Sequence, residues 1–300
     1  MATLANVGRR VLPRGWADLG RQLAIWFGFL FAYQAARGIA DRNPPKAFDN
    51  GLKVIGFEKH VHGLIELSFQ RFVDSSQFLI NLASWTYWNS EFTVVGLALL
   101  WVYLRRHEAF IRFRNTILLA NVIGLVGYVL LPTAPPRMFP DLGFDDTLSQ
   151  FASLNHGSGL VNFVANPYAA MPSLHAADAL IVGIVLFAVC RNWFAKAVWA
   201  LWPGWVWFSV MATGNHFWLD VAAGVVVALV ALGFVYGRPL RRRRLVGGSG
   251  EMESVPPDRA ARPVAASSVA PIALAIDAPC VLPTERASRP DDERHSARPS

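Results

Sequence analysis

The stretch Thr213-Gly214-Asn215-His216-Phe217-Trp218-Leu219-Asp220 stands at the entrance of a run that stays apolar to Tyr236, with Asp220 as its single charge. A bilayer core is crossed by about 20 apolar residues at roughly 1.5 Å of rise each, so Phe217–Tyr236 reads as a membrane span. Upstream, Asn166-Pro167-Tyr168-Ala169-Ala170-Met171-Pro172-Ser173-Leu174-His175 opens onto Ala176–Cys190 in the same way. Each stretch sets a histidine on the threshold of an apolar helix. If the two helices start on one side of a bilayer, His175, His216 and Asp220 meet in one shallow pocket. The remaining spans decide whether they do.

The composition agrees with a membrane chain. In 300 residues, 53% are hydrophobic and 16% charged, with 11 Trp and 20 Phe, which does not fit a soluble profile. The apolar residues lie in runs of membrane length rather than at amphipathic spacing. The net charge of +7 does not point to nucleic acid, because the arginines cluster at the ends of apolar runs, and that is a topology signal. Two cysteines, Cys190 and Cys280, cannot build a disulfide framework and are read as incidental.

Taken in order, Arg9, Arg10, Arg14 and Arg21 precede the run Gln22–Ala36. That run is long for the apolar part of a signal peptide, which favours a retained first span over a cleaved leader. Residues 41–77 are polar and mixed in charge, yet Phe57, Val61, Leu64, Ile65, Phe69 and Phe72 recur at three- and four-residue spacing. The pattern predicts an amphipathic helix along the membrane surface or packed on the bundle. Phe78–Leu104 holds one charge, Glu91, and is closed by Arg105 and Arg106; Glu91 therefore lies roughly 20 Å from that basic end. The later spans are Phe113–Leu131, Ala176–Cys190, Ala197–Ala212 with a kink expected at Pro203, and Phe217–Tyr236. Between spans three and four, residues 132–174 are rich in Pro, Gly, Asp and Ser, and a loop of that length is usually functional or disordered. Beyond Leu245 the chain has eight prolines and no aromatic residue, the composition of a disordered tail.

Lys and Arg number four, four, two and five in segments 1–21, 105–114, 191–196 and 237–244. The alternate segments 37–90, 132–174 and 213–216 hold six, one and none, and acidic residues accompany the six. The positive-inside rule then puts both termini in the cytoplasm and Arg137, His175, His216 and Asp220 on the outer face. The expected architecture is an all-α, six-span helical bundle in the cell membrane. It comprises a cytoplasmic N-terminal segment (1–20), a membrane catalytic domain (21–240) and a disordered cytoplasmic tail (241–300).

His216 and Asp220 are four apart, so on a helix they share a face and can hydrogen-bond. An acceptor on one ring nitrogen fixes the tautomer and leaves the other as a directed nucleophile or base. Both histidines sit where free helix amides and the helix dipole favour an anion. The Ser173 hydroxyl and Arg137 are candidate phosphate ligands. Asn215, Asp178 and Glu91 are candidates for head-group contacts or for holding the reacting side chains from behind. Together the parts read as in-line displacement at phosphorus. His216 attacks to form a phosphohistidine, oriented by Asp220, while His175 protonates the departing oxygen and then activates water or an alcohol. Arginine and helix amides stabilise the charge, so the scheme requires no metal or other cofactor.

Other readings stay open. Ser173 and Asp220 also read as helix caps, Arg137 as an interfacial anchor, and Arg241–Arg244 as topology determinants touching anionic lipid. The two histidines with Asp220 have the residue types of a zinc site. A non-catalytic transporter or lipid-binding scaffold is the reading outside catalysis; the spans lack paired interior charges apart from Glu91, and no inverted repeat is evident.

Three motifs carry a family resemblance: Ala134-Pro135-Pro136-Arg137, Ala170-Met171-Pro172-Ser173-Leu174-His175 and Gly214-Asn215-His216-Phe217-Trp218-Leu219-Asp220. Over residues 20–240 the chain resembles the type 2 phosphatidic acid phosphatase superfamily, in the branch of inositol phosphorylceramide synthases and related inositolphosphotransferases. The family's usual Pro-Ser-Gly-His stands here as Pro-Ser-Leu-His, the form of that branch. The resemblance implies His216 as nucleophile, Asp220 as its partner and His175 as general acid. It also implies a lipid-phosphate substrate from the outer leaflet, with water or an alcohol such as inositol as acceptor. Three positions depart from the pattern. Leu130 replaces a Lys, Val210 follows Ser209 where the family has Arg, and Tyr87 is followed at four residues by Glu91 where the branch has His. The two lost cations put ordinary phosphatidic acid phosphatase activity in doubt.

Overall fold

The computed structural model describes residues 12–40, 43–150 and 168–237. The expectations for Arg9 and Arg10, for the middle of the 132–174 loop with Asn166 and Pro167, and for the tail fall outside them. Regular structure among the described residues is helical, apart from an isolated parallel bridge between Thr133 and Ala169. Helix α1 spans Gly15–Ala40, α2 Pro44–His60, α3 Glu66–Asp74 and α4 Gln77–Asn89. A π-helical turn, Ser90–Val94, carries α4 into α5, Val95–Arg105. Then come α6 (His107–Leu130), α7 (Leu174–Val189), α8 (Trp193–Ala212) and α9 (Trp218–Tyr236). Each apolar run in the sequence is thus part of a helix. Two of them, α6 and α9, are long and apolar enough to cross a membrane, and α7 is a shorter apolar helix.

Local chemistry sets several helix starts. The Asn43 side chain accepts from the Lys46 N–H at 3.1 Å, while Pro44 and Pro45 fill positions whose amides need no helical partner. Asn192 accepts from Phe194 and Ala195 at 2.8 and 3.2 Å to start α8, which continues as one helix through Pro203. One residue, Arg106, joins α5 to α6, and short turns join α7 to α8 and α8 to α9. Connections this short make consecutive helices antiparallel neighbours. The starts of α7 and α9 therefore lie at the bundle end where α6 and α8 finish.

The bundle core is apolar and includes Val102, Phe113, Ile117, Ile181, Val182 and Ala228, all fully buried. A smaller cluster covers the end where α7 and α9 start, built from Ala47, Ile55, Ala134, Phe139, Phe144 and Phe217. Burying a side chain the size of Phe contributes about 1.5–3 kcal/mol, enough to seat the irregular segment after α6 over that end.

Residues 41–77 hold two helices where one was expected, and both bury polar residues beside apolar ones such as Val54, Ile55 and Val73. Of the six apolar residues in the expected pattern, Phe57, Val61, Ile65 and Phe72 are exposed and Leu64 and Phe69 half-buried, whereas Glu58, Glu66 and Gln70 are buried. The acidic residues turn inward because they find partners there: the free amides at the start of α9.

Candidate active site

Helix α8 ends at Ala212, and the chain reverses into α9 over Thr213–Phe217. Gly214 makes this possible by taking φ +68°, a left-handed conformation that side chains disfavour. The Val210 carbonyl accepts from both Asn215 and His216 at 3.1 Å. His216 thus precedes α9 rather than standing in its first turn. Its Nδ1 lies 2.9 Å from the carbonyl oxygen of Ala170. A carbonyl only accepts, so Nδ1 carries the proton and Nε2 keeps a free lone pair. Ala170 is held by its own N–H, which donates to the Thr133 carbonyl at 3.2 Å. Asp220 Oδ2 is 3.6 Å from His216 Nδ1 and accepts instead from the Phe217 N–H at 2.9 Å. The hydrogen bond expected across a shared helix face is therefore not formed: His216 is outside the helix, a backbone carbonyl orients its ring, and Asp220 also caps α9.

His175 stands in the first turn of α7. Ser173, expected among the phosphate ligands, is the N-cap: its Oγ accepts from Ala176 at 3.3 Å, it is fully buried, and it does not line the cavity. The Ser173 N–H donates to the Asp220 carbonyl at 2.9 Å. That contact needs Gly224, where a Cβ would fall 2.1 Å from the Ser173 carbonyl oxygen. The two helix starts are thereby fastened together, and the ring centroids of His175 and His216 lie 5.6 Å apart. Tyr87 stacks on His175 at 4.5 Å between centroids. Glu91 Oε2 is 3.3 Å from His175 Nε2. Glu91 belongs to the π-helical turn, a feature frequent at functional sites.

Arg137 sits in a 3-10 turn, Pro136–Met138, and donates its N–H to the Gly214 carbonyl at 2.9 Å. Its guanidinium donates to the Asn215 side-chain oxygen. The Asn215 amide donates in turn to the carbonyl and hydroxyl oxygens of Thr213 at 3.1 and 2.9 Å, so Asn215 holds Arg137 in place. Arg137, Asn215, His175, His216, Glu91, Tyr87 and Tyr128 line one small, open cavity. Asp178, one turn below His175, accepts from the Asn121 amide at 3.1 Å with both oxygens and does not line the cavity. Nor do Leu130, exposed at the end of α6, or Val210, buried in α8; Arg137 is the only Lys or Arg lining it among the described residues. No group of three or more His, Cys, Asp or Glu among those residues is arranged to hold a metal ion.

Two carboxyl groups behind the site were not singled out from the sequence. Glu66 Oε1 accepts from the Trp218 N–H at 2.6 Å and Glu58 Oε1 from Leu219 at 3.1 Å; both residues are fully buried. Burial, with Glu66 and Asp220 nearby, pushes Glu58 up to about 8. Burial, helped by Asp220, pushes Glu66 up to about 7. In the sequence they occupy the polar face of an amphipathic segment, and no local signal separates a buried carboxyl there from a solvated one.

A family model described as the PAP2 superfamily matches residues 52–234. A phosphoinositol dihydroceramide synthase from Bacteroides thetaiotaomicron is 29% identical over 150 residues, covering 45% of this chain and 48% of that protein. The chain thus spans about half the length of this relative. No solved structure matches.

Proposed function

Because the chain belongs to the PAP2 superfamily, we propose that it is an integral membrane enzyme that transfers a phosphate-bearing group from a lipid through a phosphohistidine at His216. The observation that carries this reading is the pair of imidazoles 5.6 Å apart in a cavity that also holds Arg137. One phosphorus atom between the rings is within reach of both. His216 Nε2 attacks it, the bond to the departing oxygen breaks, and His175 gives that oxygen a proton. In the second step His175 takes the proton of an acceptor hydroxyl, whose oxygen displaces His216. Arg137 neutralises charge on the phosphate oxygens. Glu91 keeps the His175 ring in place and balances its charge as an acid.

The charge of the cavity favours a phosphodiester over a phosphate monoester. A monoester carries close to two negative charges at neutral pH, a diester one. One arginine, facing Glu91 across the same cavity, matches the single charge better. The name of the Bacteroides relative, a phosphoinositol dihydroceramide synthase, supports a phosphoinositol group as the part transferred and a hydroxylated lipid as its acceptor. In this reading six helical spans (α1, α4–α5, α6, α7, α8 and α9) cross the cell membrane, both termini are cytoplasmic, and the substrate enters from the outer leaflet.

The test offers the full-length chain labelled phosphatidylinositol and phosphatidic acid, each with and without a ceramide acceptor, and identifies the products. Transfer of phosphoinositol, with label trapped on His216, is expected; turnover that survives His216→Ala overturns the reading. Activity unchanged after chelation separates it from a zinc site built on the same side chains.

A further inference from the structure

Three fully buried carboxyl groups, Asp220, Glu66 and Glu58, accept from three consecutive amides, Phe217, Trp218 and Leu219, at 2.9, 2.6 and 3.1 Å. Asp220 belongs to α9 itself, whereas Glu58 and Glu66 come from α2 and α3, 161 and 152 residues away in the chain. The second oxygen of each group, Glu58 Oε2, Glu66 Oε2 and Asp220 Oδ1, is buried without a hydrogen-bond partner among the described residues. Three acceptors crowded on one helix turn cannot all carry a charge in a site closed to water. A proton held on a carboxyl removes its charge and so relieves the repulsion among the three.

We propose that Glu58 and Glu66 are positioning residues for the reaction, a proton-holding clamp that ties the first turn of α9 to α2 and α3 and so fixes His216 opposite His175. The clamp rests on His216 being the nucleophile. It matters because His216 lies outside the helix, and its ring position depends on where α9 begins. Displacing a reacting group by about 1 Å costs on the order of a hundredfold in rate. The charged groups acting on the pair are each other and Asp220, with His216 beyond Asp220. Lys59, His60 and His62, adjacent along the chain, are exposed.

The sign of the pH effect follows from burial. The ordinary carboxyl value of 4.5 is raised in the folded chain to about 8 for Glu58 and about 7 for Glu66. The folded state therefore holds more protons than the unfolded chain between those limits. The stability contributed by the pair is fully present below pH 4.5 and is lost as pH rises through 7 and 8.

The experiment uses the full-length chain in detergent and four variants: Glu58→Gln, Glu66→Gln, the double Gln variant and Glu66→Ala. Unfolding temperature is followed from pH 5 to 9, and the affinity for orthovanadate, a mimic of phosphate at its transition state, is measured at pH 6.5. The wild type should lose stability as pH rises through 7 and 8, and the double Gln variant, which keeps the acceptors but cannot ionise, should lose that dependence. Gln variants should bind vanadate as the wild type does, and Glu66→Ala should bind it about tenfold or more weakly. A double Gln variant with the wild-type pH profile overturns the protonation of the clamp. Vanadate affinity unchanged in a folded Glu66→Ala chain overturns the positioning role. A wild-type chain that binds no vanadate removes the phosphotransfer reading together with the positioning role, while the unfolding profile, read without ligand, still decides the proton.

Discussion

The starts of α7 and α9 do the same job by different means. Each sets a histidine at the same cavity. The start of α7 is closed from within by Ser173, whose hydroxyl oxygen accepts from Ala176 three residues on. The start of α9 has one cap of its own, Asp220, and two carboxyl groups brought from distant helices. His175 is part of its helix and moves with it, held by Tyr87 and Glu91. His216 stands before its helix and is held by the Ala170 carbonyl, so its position depends on everything that fixes the α8–α9 turn. In the proposed mechanism the acid needs only to reach a departing oxygen, whereas the nucleophile must be aligned with the bond it breaks, and the more exacting role would then have the more elaborate support.

The sharpest test of that asymmetry is to remove each ring. His216→Ala should lower turnover by about a thousandfold or more and leave no trapped phosphohistidine. His175→Ala should slow both steps by about a hundredfold and still allow phosphate to be trapped on His216 when a substrate with a good leaving group is supplied. Glu91→Gln should reduce kcat by roughly tenfold with little change in KM, read from initial rates, because the ring it steadies remains in place. The smallest effect belongs to the locally capped helix. Ser173→Ala should cost about 1 kcal/mol of stability in thermal unfolding and leave phosphate affinity near that of the wild type, a result that would also separate its capping role from a phosphate ligand.

Much of the fold is legible in the chain. The runs from Gln22, Phe78, Phe113, Ala176, Ala197 and Phe217 all fall in helices because predominantly apolar stretches of that length satisfy their backbone most simply in that form. The three motifs also announce their shared location, since Arg137, His175 and His216 line one cavity. Less legible was the detail that depends on one residue more or less. The spacing of His216 and Asp220 suggests a hydrogen bond along a helix, but the helix begins two residues beyond His216 and the ring donates to the carbonyl of Ala170 instead. Ser173 showed two readings, and the cap is the one its buried hydroxyl adopts. Segment 41–77 was harder still, because periodicity shows that a helix has two faces without saying which one meets protein.

By itself, the sequence determined the helices, the basic ends of the apolar runs and the residue types at the two helix thresholds. These depend on neighbours within a few turns, where composition and spacing act directly. Only the tertiary structure decided which group orients each histidine, and that Glu58 and Glu66 turn inward to the amides of α9. Those choices follow from desolvation: a buried amide must find an acceptor wherever one is within reach, and the acceptor that closes the start of α9 lies more than 150 residues back in the chain.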